Sequence, residues 1–113
     1  MPKDDSVRIR HMLDAAQEAR ALIQGQTRRT LDDNRVLVLA LVRLIEVIGE
    51  AASQVSKSFQ DAHTDIPWAQ IIAMRNRLIH AYFDVDLERV WDTVTDDLPP
   101  LIAQLEQIAP QAS

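Results

Sequence analysis

Apolar residues recur every third or fourth position through most of the chain, the period of helix faces rather than the alternation of strands. Val7, Ile9, Met12, Leu13, Ala16, Ala19 and Ile23 form one such side and predict a first helix from about residues 4–6 to Ile23. The polar run "QGQTRR" ends it, with Gly25 placed to take a left-handed turn. A longer helix is predicted over "TLDDNRVLVLALVRLIEVIGEAASQVSKSF", residues 30–59, opened by Thr30 and Asp33 at capping-box spacing. From Val36 to Val47 it is apolar almost all round, as a central helix would be. Its polar residues Arg43, Glu46, Glu50, Ser53 and Lys57 fall in steps of three and four, on one stripe.

Pro67 suits the first position of a third helix, predicted from Trp68 to Ala81 and interrupted by "FDVD". Asp86 is placed to cap a fourth, from Leu87 to about Asp96. "DLPP" then requires a break or bend, because proline removes backbone donors. Proline is tolerated in a first turn, so a last helix follows from Leu98 to about Ile108. The expectation is an all-α fold: one domain over residues 1–113, built as a small antiparallel bundle of four to five helices.

Composition narrows the function. There is no cysteine, which excludes thiol chemistry and suits a reducing compartment. The first residues lack the apolar core of a signal peptide, and the apolar run Val36 to Val42 is too short to span a bilayer. The expected location is cytoplasmic, with no membrane partner. Net charge is −5, but residues 84–113 carry seven acids against Arg89 alone. The remaining residues hold eleven bases and ten acids, so a local basic site is possible where a broad basic surface is not.

The chemistry concentrates in "MRNRLIHAYFDVD", residues 74–86. On a helix Asn76 and Arg77 would share a face with His80, while Arg75 would stand about 140° from it. That gap is better closed by a second copy of the helix across a twofold axis, which hints at a composite site. Histidine can move protons near neutrality, and arginine offers a permanent planar charge to phosphate oxygens. Asparagine can orient a phosphate or the imidazole. These types suit metal-free cleavage of RNA, whose 2′-hydroxyl is its own nucleophile. The plainer reading is solvated helix surface. The stripe through Arg43 and Glu46 divides in the same way, between a solvent face and a polar seam that braces the arginine and histidine. His11, His63 and His80 are scattered, and no metal-ligand spacing, phosphate loop or nucleophile elbow is present, so no cofactor is expected.

"RNRLIH" followed by "AY" resembles the Arg–four residues–His–x–Tyr motif of the HepT-like toxins, within the HEPN (higher eukaryotes and prokaryotes nucleotide-binding) superfamily. "RLIEVIGEAA" at 43–52, "IPWAQIIAMRNRLIHAYFDVDLERVWDTV" at 66–94 and "DLPPLIAQLE" at 97–106 resemble that family's blocks in the same order. The resemblance implies a homodimer with two motifs in one cleft, acting as a metal-independent endoribonuclease toxin. The implied partners are RNA and a minimal nucleotidyltransferase antitoxin, which silences the toxin by adding AMP to the motif tyrosine. It makes Arg75 and His80 the catalytic pair, Asn76 a polar positioning residue and Tyr82 the modification site. Glu46 becomes a supporting residue, with Arg43 and Arg77 beside it. Two other readings stay open: a HEPN module that binds nucleotide or RNA without cutting, and a helical subunit that holds a nucleotidyltransferase.

Overall fold

The computed structural model describes residues 3–81 and 84–112. Its longest helices are α1 (Lys3–Leu22) and α3 (Arg35–Gln54), with a single turn α2 (Thr30–Asp33) between them. Two short helices follow, α4 (Lys57–Ala62) and α5 (Trp68–Ile72), then a 3-10 turn at Met74–Arg77. A two-stranded antiparallel ribbon, β1 (Ile79–Ala81) with β2 (Asp84–Val85), reverses the chain. The last part is α6 (Leu87–Asp92), a π-helical segment at Thr93–Asp97 and α7 (Leu98–Ala112). The fold is all-α apart from this small ribbon.

Helix α1 packs along α3 on one side and α7 on the other. Ile9, Met12, Ala16 and Ala19 meet Leu41, Ile45 and Ile48 of α3 and Leu98 and Leu105 of α7 in one core, each with no exposed surface. At about 25 cal/mol per Å² of apolar surface removed from water, this seam is the main source of stability. Val7, placed by periodicity on the buried side, is 41% exposed. Gly25 does take the left-handed conformation, at φ 77°.

The second predicted helix is divided at both ends. Thr30 does not open it: its Oγ1 accepts the Thr27 N–H, and Asn34 caps α3 by accepting the Leu37 N–H at 3.0 Å. At the far end Val55 is extended and Ser56 caps α4, its Oγ accepting the Phe59 N–H. Asp5 drives that second break. It is 2% exposed, and its carboxylate accepts both the Ser56 N–H at 2.8 Å and the Ser56 hydroxyl at 2.7 Å. A buried carboxylate requires such donors, and a continuous helix would have committed the Ser56 N–H to its own ladder. Nor is α3 covered all round: Val36 and Leu39 are 78% and 49% exposed.

The third predicted helix stops at Ile72 rather than Ala81. Met74 and Leu78 are both buried, so the core spacing survives, but it is carried by the tighter turn. There the Asn76 N–H bonds to the Ala73 carbonyl and the Leu78 N–H to that of Arg75, each at 3.0 Å. The chain must then reverse to return Val90 to the core. Pairing Ile79 with Val85 satisfies the backbone as it does so, and both residues are β-branched types that suit strands. Asp86 caps α6 as expected, accepting the Arg89 N–H at 3.1 Å.

The bend expected at "DLPP" appears as the π-helical segment. Pro99 and Pro100 cannot donate to the carbonyls four residues earlier, and the Thr93 and Thr95 hydroxyls bond back to Arg89 and Trp91. Both effects loosen the ladder enough to admit the wider turn. Trp68 is buried, its Nε1–H donating to the His63 carbonyl at 3.0 Å, and the His63 ring lies 4.3 Å from that of Phe59. No helix among the described residues is long and apolar enough to cross a membrane.

Removing the Asp5 carboxylate strands the Ser56 N–H, at a cost of about 1–3 kcal/mol. Asp5→Ala and Ser56→Ala should each lower stability by roughly that amount, and the double variant by much less than their sum. Urea unfolding checks this; additive losses would contradict the coupling.

Candidate active site around Met74–Arg77

The placement of the motif begins with a missing side chain. Gly49 on α3 is buried, and a Cβ there would lie 3.2 Å from the Ile71 carbonyl oxygen and 3.3 Å from that of Ile72. Only glycine lets the last turn of α5 come this close to α3 without something giving way. The 3-10 turn that follows packs against α3, and Glu46 stands one helical turn before Gly49.

Glu46 holds two arginines. Arg75 Nε donates to its Oε2 at 2.6 Å, and Arg43 Nη1 donates to its Oε1. The Arg43 hydrogen bond acts most strongly on the Glu46 carboxyl; burial opposes it, and the Arg75 hydrogen bond with the two arginine charges leaves the carboxyl below its ordinary range. The side chains of Arg75, Glu46 and Arg43 are 48%, 35% and 70% exposed, so the bridge contributes little to stability. Its consequence is positional. It ties the first arginine of the motif to the stripe on α3, and the polar-seam reading of that stripe describes this contact.

The other motif residues do not share one helix face, because the helix that would have aligned them ends before Arg75. Asn76 is exposed on the 3-10 turn. Arg77 lines a different place, a cavity of about 330 Å³ shared with Gln70, Met74, Asp96, Asp97 and Gln104. The backbone of His80 lies in β1, and its side chain falls outside what is described. Tyr82 lies outside the described residues altogether. The 140° argument for a second copy therefore no longer applies. The periodicity gave no signal of Gly49 as a positioning residue. Arg8 and His11 were also passed over; their spacing of three on α1 was the available signal, and together with Arg43 they line a second groove.

Within the larger cavity, burial pushes the Asp97 carboxyl up, the neighbouring Asp96 charge adds to it, and Arg77 and Arg89 oppose both. The folded chain thus holds this proton more tightly than the unfolded one. Stability from this group is complete below the ordinary aspartate value of about 3.9 and is lost as pH rises through the raised one. Asp97→Asn should therefore raise the melting temperature at pH 7, and the advantage should disappear below about pH 4. Thermal unfolding across that range checks the sign; a lower melting temperature at pH 7 would contradict it.

A mostly helical chain whose motif arginine is clamped by a carboxylate of its long helix matches the family model described as Ribonuclease HepT-like over residues 12–108. A protein of Caldanaerobacter subterraneus subsp. tengcongensis named "Putative RNase TTE0752" is 33% identical over 100 residues, covering 88% of this chain and 89% of that one. "Probable ribonuclease HepT" of Thermococcus cleftensis is 42% identical over 69 residues, covering 61% of this chain and 63% of its own length. "Putative RNase MJ0127" of Methanocaldococcus jannaschii is 31% identical over 112 residues, 96% of this chain and 90% of that protein. No solved structure matches the chain. The chain belongs to the HepT-like ribonuclease family.

Proposed function

We propose that this protein is a metal-independent endoribonuclease toxin whose catalytic pair is Arg75 and His80. The observation that carries the reading is the clamp on Arg75. Glu46 fixes the guanidinium through Nε, at a half-exposed position where a substrate phosphate can reach it. An arginine held by one nitrogen presents the remainder of its fork in a set orientation, which is how a phosphate and the charge developing on it are best met. The family's relatives named as ribonucleases support the same substrate class.

In this mechanism the imidazole of His80 takes the proton of the ribose 2′-hydroxyl, or returns one to the departing 5′-oxygen. The 2′-oxygen attacks the adjacent phosphorus, the bond to the 5′-oxygen breaks, and a 2′,3′-cyclic phosphate remains. Arg75 stabilises the added negative charge, and Asn76 orients the phosphate. Arg43 supports the clamp by sharing Glu46, and Arg77 adds positive charge on the other side of the turn. In a homodimer a second motif would complete the cleft. A minimal nucleotidyltransferase antitoxin would silence the enzyme by adding AMP to Tyr82. A bulky phosphodiester there would occupy the site and repel the incoming strand. The setting of the reaction is the cytoplasm.

Cleavage of single-stranded RNA in the presence of a chelator should leave 2′,3′-cyclic ends. It should fall by at least about 100-fold in His80→Ala, the scale of a lost general acid or base. Equal cleavage by wild type and His80→Ala would assign the activity to a contaminant and defeat the reading.

A further inference from the structure

A nuclease must hold more of its substrate than the scissile phosphate, and this chain is acidic overall. Its cations are nevertheless unevenly placed. Between α1 and α3 runs a groove of about 300 Å³, lined by Arg8 and His11 on one side and by Arg43, Val47, Glu50, Ala51 and Gln54 on the other. Arg8 and His11 come from successive turns of one face of α1, and Arg43 faces them from α3. Among the described residues neither Arg8 nor His11 has a hydrogen-bond or ion-pair partner, although carboxylates outnumber cations in the sequence. Glu50, the groove's one acid, accepts from Gln54 at 3.3 Å. Arg10, two positions from Arg8 and so turned well away from it, is by contrast matched with Asp14 at 3.9 Å.

The groove is continuous with the candidate active site through a single side chain. Arg43 lines it and also shares Glu46 with Arg75. Arg8, His11, Arg43 and Arg75 thus follow one another across the faces of α1 and α3 toward the motif. Arg8 and His11, without carboxylate partners among the described residues, and Arg43, which shares Glu46 with Arg75, suit a chain of phosphodiesters better than one compact anion. The Val47 and Ala51 wall gives a base edge no hydrogen-bonding group to read.

We propose that the α1–α3 groove binds the phosphodiester backbone of the RNA strand flanking the cleavage point, with Arg8 and His11 as its outer contacts. This rests on the ribonuclease reading above and extends it to how the substrate is held. Recognition here is by charge, so it does not depend on base sequence.

The test is fluorescence anisotropy with the full chain and labelled 2′-O-methyl oligonucleotides of about 12 residues. Such strands lack the nucleophilic hydroxyl and stay intact. Arg8→Ala should weaken binding several-fold, equally for oligo-U and oligo-A. It should also reduce the slope of log affinity against log salt by about 0.7, the contribution of one contact to a single strand. Arg8→Ala/His11→Ala should be weaker still, and Arg10→Ala should bind as wild type. The proposal is overturned if Arg8→Ala binds with unchanged affinity and slope, if Arg10→Ala loses as much, or if the wild type does not bind these strands. Binding that follows the prediction, while unmodified RNA is left uncut, would keep the groove and defeat the ribonuclease reading instead.

Discussion

Where α3 carries no side chain at Gly49, the carbonyl ends of α5 come against its backbone, and the placement of the motif turn follows from that contact. A Cβ at this level would press on two carbonyl oxygens rather than on a side chain that could turn aside. With the approach permitted, the 3-10 turn packs on α3 and Arg75 reaches Glu46 one turn earlier. The carboxylate then serves two masters on opposite sides, Arg75 from the motif and Arg43 from its own helix. Neither ion pair matters much to stability at this exposure; both fix where positive charge stands.

The sequence and the structure agree best where packing alone decides. The apolar steps of α1 after Val7 and the run from Leu98 to Ile108 were legible because period and burial are the same fact stated twice. Disagreement arises where one distant polar group overrules a local pattern. Nothing near Ser56 shows that Asp5, 51 residues away, will claim its N–H and end α3. Nothing in "MRNRLIH" shows that the chain must tighten and reverse there, and the β-branched Ile79 and Val85 were weak signs of it. The family was legible in the residue types of the motif and of the blocks around it. The candidate site was misread in its geometry, because Arg75 and Arg77 leave a 3-10 turn toward different neighbours instead of lying along one helix.

The distribution of charge gives the site its character. Acids gather in the C-terminal third, where Asp96 and Asp97 crowd the cavity that also takes Arg77. Arg8 and His11, which have no partner among the described residues, line the groove between α1 and α3 together with Arg43. On the proposed reading, a polyanion would meet acids beside Arg77 and basic side chains beside Arg43. Local charge of this kind can act on a polyanion even where the whole molecule is negative.

The central claim is that the Gly49 approach positions Arg75 through Glu46, and the Arg75 Nε–H reports on it directly. In spectra of arginine-labelled protein, a 2.6 Å bond to a carboxylate should give this proton a downfield, slowly exchanging signal. Glu46→Gln, which removes the carboxylate charge, identifies the signal by shifting it upfield. Gly49→Ala, with its helices retained, should lose the signal, because α5 is pushed off α3. An Arg75 Nε–H that keeps its shift and protection in Gly49→Ala would contradict the account.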